Sequence, residues 1–299
     1  MIRQTAALGV ALGAATWRDR RATAGEVRSE RPGRKPIFKS LKFGMIKGNM
    51  SILDKFKLVQ DLGYDGVELD SPGGQDKKQC LEASRQTGLP IHGVVDSRHW
   101  SVRATEADPK RRAECLNDLL TAIKESHYCG ASSVLFVPGH GKDGPENVII
   151  PRSLEVIQQA LPTAARLGIR ILIENVWNQM FYDHDGPPEQ SAGRYATFID
   201  ACNSPWVGAY YDIGNHHKYG QPQDWIRTLG KRIVKLDVKG FSRDGNKWSP
   251  IGEGTIDWPA VRLALDEVGF TGWCTAEVGG GDRARLADIL ARLNRVLPN

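Results

Sequence analysis

From Ile37 onward the chain alternates short apolar, β-branched runs with longer stretches of helical period. Eight runs read as strands: KFGMIKG from Lys42, DGVELD from Asp65, PIHGVVD from Pro90, SSVLFVPG from Ser132, RILIEN from Arg170, VGAYYD from Val207, RIVKLDVK from Arg232 and GWCTAEV from Gly272. Helical segments such as ILDKFKLVQDLG, KKQCLEASRQTG, RRAECLNDLLTAIKESHYCG, SLEVIQQALPTAARLG and RYATFIDACN lie between them. Gly63, Gly88, Gly130 and Gly168 each stand shortly before the next strand, where a helix ends readily on a residue free to turn left-handed. Eight strand–helix units predict an α/β fold, a closed (β/α)8 TIM barrel. A doubly wound open sheet is the competitor, and the lack of GxGxxG after the first strand weakens its dinucleotide-binding form.

The first 36 residues read differently. MIRQTAALGVALGAAT has a basic start and an apolar run too short to span a membrane but suited to a secretory signal, with an A-x-A site at Ala22 to Ala24. Arg18, Arg20 and Arg21 fit a cleavage region poorly, so an uncleaved extension stays open. The domain expectation is therefore a signal or linker extension over 1–36 and one barrel over 37–299. Localisation follows from it: exported, in a bacterial periplasm, if the segment is a signal peptide, and cytoplasmic otherwise.

Composition narrows the function. The 299 residues are 40% hydrophobic, enough for a large core, and carry a net charge of +5. The basic residues are scattered except near the N-terminus, so no nucleic-acid stripe is expected, and no membrane span in the mature chain. Five widely spaced cysteines without a CxxC pattern indicate neither a disulfide framework nor a thiolate zinc site. The oligomeric state is open, a homo-oligomer included.

Four acids stand at equivalent points of four strands: Glu174 in ILIEN, Asp212 in YYDIG, Asp237 in VKLDVK and Glu277 in CTAEV. A carboxylate ending an apolar run is costly to bury alone, so several in register point to a shared cation or a shared proton-transfer task. On a barrel these strand ends share one half of the active face, and an all-oxygen set favours one hard or borderline divalent ion, Mn2+ or Mg2+, with Co2+ or Zn2+ as alternatives. Helix capping or pairing with Arg170, Lys235 and Lys239 would explain any one of them.

In order and spacing, LGYDGVELD, ILIEN, DIGN with YGQP, RIVKLDVKG, IGEGTIDWPAV and GFTGWCTAEV resemble the sugar phosphate isomerase/epimerase group of xylose-isomerase-like TIM barrels over nearly all of residues 40 to 297. The resemblance implies one divalent metal on Glu174, Asp212, Asp237 and Glu277, and departs from the pattern at Asp237, where such proteins commonly carry His. It also implies proton abstraction beside a sugar carbonyl through an enediolate, with Glu174 and Glu277 as the acid–base pair.

Other residues are expected at the substrate. His140 follows the fourth strand, Asn215 and His216 follow Asp212, Lys239 and Arg243 follow the seventh strand, Glu68 would accept sugar hydroxyls, and Trp177, with Trp100 and Trp248, would form an aromatic wall. The leading expectation is a metal-dependent sugar isomerase or epimerase acting on an unphosphorylated carbohydrate or polyol, since no phosphate cradle is visible. A lyase of the same fold, dehydrating a keto-inositol or eliminating from a 3-keto-glycoside, is the alternative, as is a non-catalytic sugar-binding protein. A phosphodiesterase of the endonuclease type would need a His-rich multinuclear site, and of the seven His only His216 and His217 stand close together.

Overall fold

The computed structural model describes residues 36–299, so the expected signal or linker segment lies almost wholly outside the described residues. Eight parallel strands close a barrel: β1 (Ile37–Lys42), β2 (Gly66–Ser71), β3 (Ile91–Asp96), β4 (Ser133–Phe136), β5 (Arg170–Glu174), β6 (Val207–Asp212), β7 (Ile233–Val238) and β10 (Gly272–Ala276). Strand β1 pairs with β2 on one side and β10 on the other, which closes the ring. A short antiparallel hairpin, β8 (Gly240–Ser242) with β9 (Lys247–Ser249), stands over the mouth between β7 and α8 (Trp258–Glu267). No helix among the described residues is long and apolar enough to cross a membrane.

Local chemistry sets the helix limits. Helix α1 (Ile52–Leu62) starts at Ser51, whose hydroxyl accepts from Asp54 N at 3.1 Å, and stops at Gly63 with φ +88°. Asp76, Asp108, Asp257 and Asp282 cap α2 (Lys77–Thr87), α3 (Pro109–Tyr128), α8 and α9 (Arg283–Val296) in the same way. Gly88 and Gly168 end α2 and α4 (Glu146–Leu167) in the left-handed conformation, as expected.

Successive strand residues face opposite sides. One set, including Val67, Leu69, Val134, Phe136, Ile171, Ile173, Leu236 and Cys274, joins the large buried apolar core, and all five cysteines are buried and free. The other set faces the barrel interior and is polar at its centre. Tyr210 donates to Glu68 across the barrel at 3.1 Å and shares a 2.7 Å hydrogen bond with Thr275, which in turn meets Ser40 at 2.9 Å. Lys235 Nζ lies 2.9 Å from His92 Nδ1. Moving two residues on from Ser40, Leu172, Tyr210, Lys235 and Thr275 gives Lys42, Glu174, Asp212, Asp237 and Glu277, the uppermost interior layer.

The first strand departs from expectation. KFGMIKG does not form it; β1 runs over Ile37–Lys42, and Phe43–Met45 make a 3-10 turn. Lys42 thereby moves from the start of a strand to its end. The alternation in IFKSLK is masked by Lys39, which is fully buried with its Nζ on Ile37 O at 2.6 Å.

Candidate active site

Glu174, Asp212, Asp237 and Glu277 present carboxylate oxygens that all lie within 4.8 Å of one another. Backbone and side-chain bonds fix the two central strand ends. Asn175 accepts from Asp212 N at 2.8 Å and donates to Asp212 O at 2.9 Å, clamping β5 to β6. Asp212 Oδ1 accepts from Asn215 N at 2.6 Å, starting the short helix α6 (Ile213–His217). Asn215 Nδ2 in turn reaches Asn175 O at 3.0 Å and approaches Glu174 Oε1 at 3.5 Å.

Two lysines enter this anionic layer. Lys42 Nζ stands 2.9 Å from Asp237 Oδ2, 3.2 Å from Glu277 Oε1 and 3.8 Å from Glu68 Oε2. Lys239 Nζ lies 2.9 Å from Asp212 Oδ2 and also pairs with Glu277 Oε2. Its stem passes against α6 only because residue 214 is glycine, since a Cβ there would sit 2.3 Å from Lys239 Cγ. Four carboxylates facing two ammonium groups leave a formal charge of −2. Asp237 Oδ1 is buried with no donor, whereas the buried Asp212 Oδ2 and Glu277 Oε2 pair with the Lys239 ammonium. Hard oxygen donors, unsatisfied lone pairs and a deficit of two positive charges together fit a divalent cation.

The electrostatics carry the same imbalance. Burial, then repulsion from Glu277, pushes the Glu174 carboxyl well above its ordinary range, with Lys42 opposing. Asp237 is raised likewise by burial against the pull of Lys42, and Asp212 is raised to about 6 by burial against the pull of Lys239. Glu277 goes the other way: burial would raise it, but Lys42 and Lys239 together hold it far below the usual carboxylate range. Both lysines are held charged: burial is the largest influence on each and would lower it, but it is outweighed for Lys42 by Asp237, Glu277, Glu68 and Glu174 together and for Lys239 by Asp212, Glu277 and Glu174 together. Deeper in the barrel burial lowers Lys235 to about 8 and drives His92 well below its ordinary value.

Above the layer opens a cavity of about 440 Å3, bounded by Lys42, Glu174, Asn215, Lys239 and Glu277 on one side. Asp70, Asp96, His99 and Trp100 bound the other, and Trp177 also lines it. Thus Glu174, Glu277, Asn215, Lys239 and Trp177 stand together as the sequence reading expected, while Asp212 and Asp237 lie just beneath. Trp100, also expected, stands on the opposite wall, while Glu68, His140, His216, Arg243 and Trp248 do not line the cavity. Glu68 is fully buried below the layer, with its oxygens taken by Tyr210. His140 instead accepts from Lys142 N at 3.0 Å at the start of a loop turn. His216 is buried, with its ring centroid 3.7 Å from that of Trp225. Arg243 donates to His217 O and to Glu189, each at 2.7 Å. Lys42, Asp70, Asp96 and His99 were missed, although the two aspartates end the predicted runs GVELD and GVVD.

The model of a family described as xylose isomerase-like TIM barrel matches residues 56–295. The chain belongs to the xylose isomerase-like TIM barrels. A curated relative is the L-ribulose-5-phosphate 3-epimerase UlaE of Escherichia coli, 24% identical over 234 residues that cover 74% of this chain and 79% of that one. Among solved structures, the IolI protein with a bound zinc atom superposes with a TM-score of 0.72 at 15% identity, over 87% of this chain and 98% of that one. The D-allulose 3-epimerase of a Methylomonas species in complex with D-allulose gives 0.65 at 18% identity, over 86% and 90%. These likenesses establish the xylose isomerase-like barrel for this chain.

Proposed function

We propose that this chain is a carbohydrate isomerase or epimerase whose Glu174, Asp212, Asp237 and Glu277 hold one divalent metal, Mn2+ or Mg2+ in preference to Co2+ or Zn2+. The observation that carries the reading is the convergence of four carboxylates within 4.8 Å at the floor of a 440 Å3 cavity in a barrel of this family. The relatives named as sugar epimerases and the zinc-bound neighbour support it. When bound, such a metal supplies Lewis-acid polarisation to a carbonyl and its neighbouring hydroxyl.

The chain's own groups do the rest. Glu174 and Glu277 approach the cavity from β5 and from just beyond β10, so a carbon lying between them can lose a proton to one and regain it from the other. Lys42 and Lys239 grip Glu277 and place two fixed positive charges where an enediolate would gather negative charge. Asn215 offers an amide to a sugar oxygen, and Trp177 offers an apolar surface. Asp70 on the far wall can accept a hydrogen bond from a hydroxyl and would repel a phosphate, which favours an unphosphorylated substrate, unlike that in the name of UlaE.

The test combines metal analysis of the purified protein with a solvent-deuterium wash-in screen over ketoses. About one divalent ion per chain and deuterium at the carbon beside the carbonyl are expected. A metal-replete protein that exchanges no ketose proton would refute the reading.

A further inference from the structure

A second cavity of about 570 Å3 opens on the other side of Lys239 and Glu277, lined by Gly240, Trp248, Ser249, Pro250, Val278, Gly279 and Arg285 in addition to those two side chains. The partition between the chambers is specific. It consists of the Lys239–Glu277 ion pair and of two stacked indoles: Trp177, which lines the first cavity, and Trp248, which lines the second, with centroids 4.8 Å apart and planes 12° apart. Lys239 Nζ also sits 5.2 Å from the centre of the Trp248 ring. Each chamber separately falls in the range of about 300–1,000 Å3 usual for small-molecule sites. A single ketose in reach of Glu174 and Glu277 would occupy the first chamber and leave the second free.

Charge decides what the second chamber accepts. Its cations are already engaged: Lys239 is bound by Asp212 and Glu277, and Arg285 donates to Asp288 at 2.9 Å and to Gly279 O at 3.3 Å. Glu277 adds a negative charge. The chamber therefore suits a neutral group rather than a phosphate or carboxylate, and Trp248 and Pro250 beside Ser249 and the Gly279 backbone give the mixture of apolar and hydrogen-bonding surface that a sugar ring presents in return.

We propose that the substrate is a ketose carrying a second neutral sugar, with the ketose in the first chamber, the second sugar in the other, and the linking oxygen over the Glu277–Lys239 partition. The inference deepens the isomerase reading and rests on it. Residue 279 provides a probe: it lines the chamber, and a Cβ built on Gly279 meets nothing within 4 Å, so a side chain can be started there without a clash at its first atom.

The experiment measures binding, by tryptophan fluorescence and calorimetry, and solvent-deuterium exchange for D-fructose and for the ketose disaccharides lactulose, turanose and isomaltulose. The full-length, metal-loaded protein is used. At least one disaccharide is expected to bind about tenfold tighter than D-fructose, and Gly279→Phe is expected to bring that ratio close to one. Trp248→Ala should lower the same ratio severalfold. If D-fructose exchanges and every disaccharide binds no better, or if Gly279→Phe leaves the ratio intact, the two-chamber proposal falls while the isomerase reading stands. If neither ketose nor disaccharide exchanges, the isomerase reading falls and takes the proposal with it.

Discussion

Asp96 gives the sharpest physical test, because it carries an uncompensated burial cost on the cavity wall. Its Oδ1 accepts from Arg98 N at 3.0 Å, while Oδ2 is buried with no partner. Burial is the main cause that raises this carboxyl from 3.8 to about 7, with Asp118 adding repulsion and the hydrogen bonds from Arg98 and His99 opposing. The folded state thus holds the proton more tightly than the unfolded state does, so the group costs nothing below about pH 4 and destabilises progressively as the pH rises through about 7. At 1.36 kcal/mol per pH unit the cost is about 1.5 kcal/mol at pH 5 and about 4 kcal/mol at pH 8. Asp96→Asn removes the titration and keeps an oxygen for Arg98 N. The variant should gain about 2.5 kcal/mol on the parent between pH 5 and pH 8, read from urea unfolding of both proteins at each pH. A stability difference that stays flat across that interval would show that Asp96 titrates normally, and the account of the far wall as a set of desolvated acceptors would be wrong.

Four further outcomes follow from the carboxylate layer. Asp212→Ala should abolish stoichiometric Mn2+ or Mg2+ binding while circular dichroism shows a folded barrel; unchanged metal content would refute the ligand set. Asp237→His should keep metal binding and shift preference toward Zn2+ or Co2+, because imidazole replaces a hard oxygen, as competition titrations would show. Glu174→Gln and Glu277→Gln should each slow deuterium exchange by about a hundredfold to ten-thousandfold with much smaller changes in ketose affinity; parent-rate exchange in both would move the base elsewhere. Lys42→Met removes a positive charge 2.9 Å from Asp237 and should tighten Mn2+ binding by about tenfold, or about 1.4 kcal/mol, in calorimetry; weaker binding would mean that Lys42 organises the ligands rather than competing for them.

The barrel and its acidic floor were legible because both depend on short-range pattern. Apolar β-branched runs, glycine stops and an acid at each of four strand ends are local signals, and parity along a strand puts those acids on one face. Lys42 was lost through a register error: assigning KFGMIKG as the first strand put it at the wrong end of the barrel, whereas β1 begins at Ile37. Asp70 and Asp96 carried the same strand-end signal as the four acids of the floor, yet Glu68 drew the attention in its run, although it lies too deep to reach the cavity. His140, His216 and Arg243 follow strands at suitable positions, but loop and side-chain packing turns them to other partners, and no local pattern encodes that. The hairpin that carries Trp248 into the partition is likewise a tertiary arrangement.

The closure of β1 on β10 bears on when activity can appear during synthesis. Lys42 leaves the ribosome early, yet it contacts Asp237, 195 positions later, and Glu277, which follows the last strand to be made. Until that strand arrives and is joined by the first, Glu174, Asp212 and Asp237 lack both their fourth companion and one of their two counterions. A nascent chain therefore holds an incomplete layer, with its carboxylates free to repel one another. The seam of the barrel acts as a clasp: fastening the two ends of the chain and arming the site are the same event.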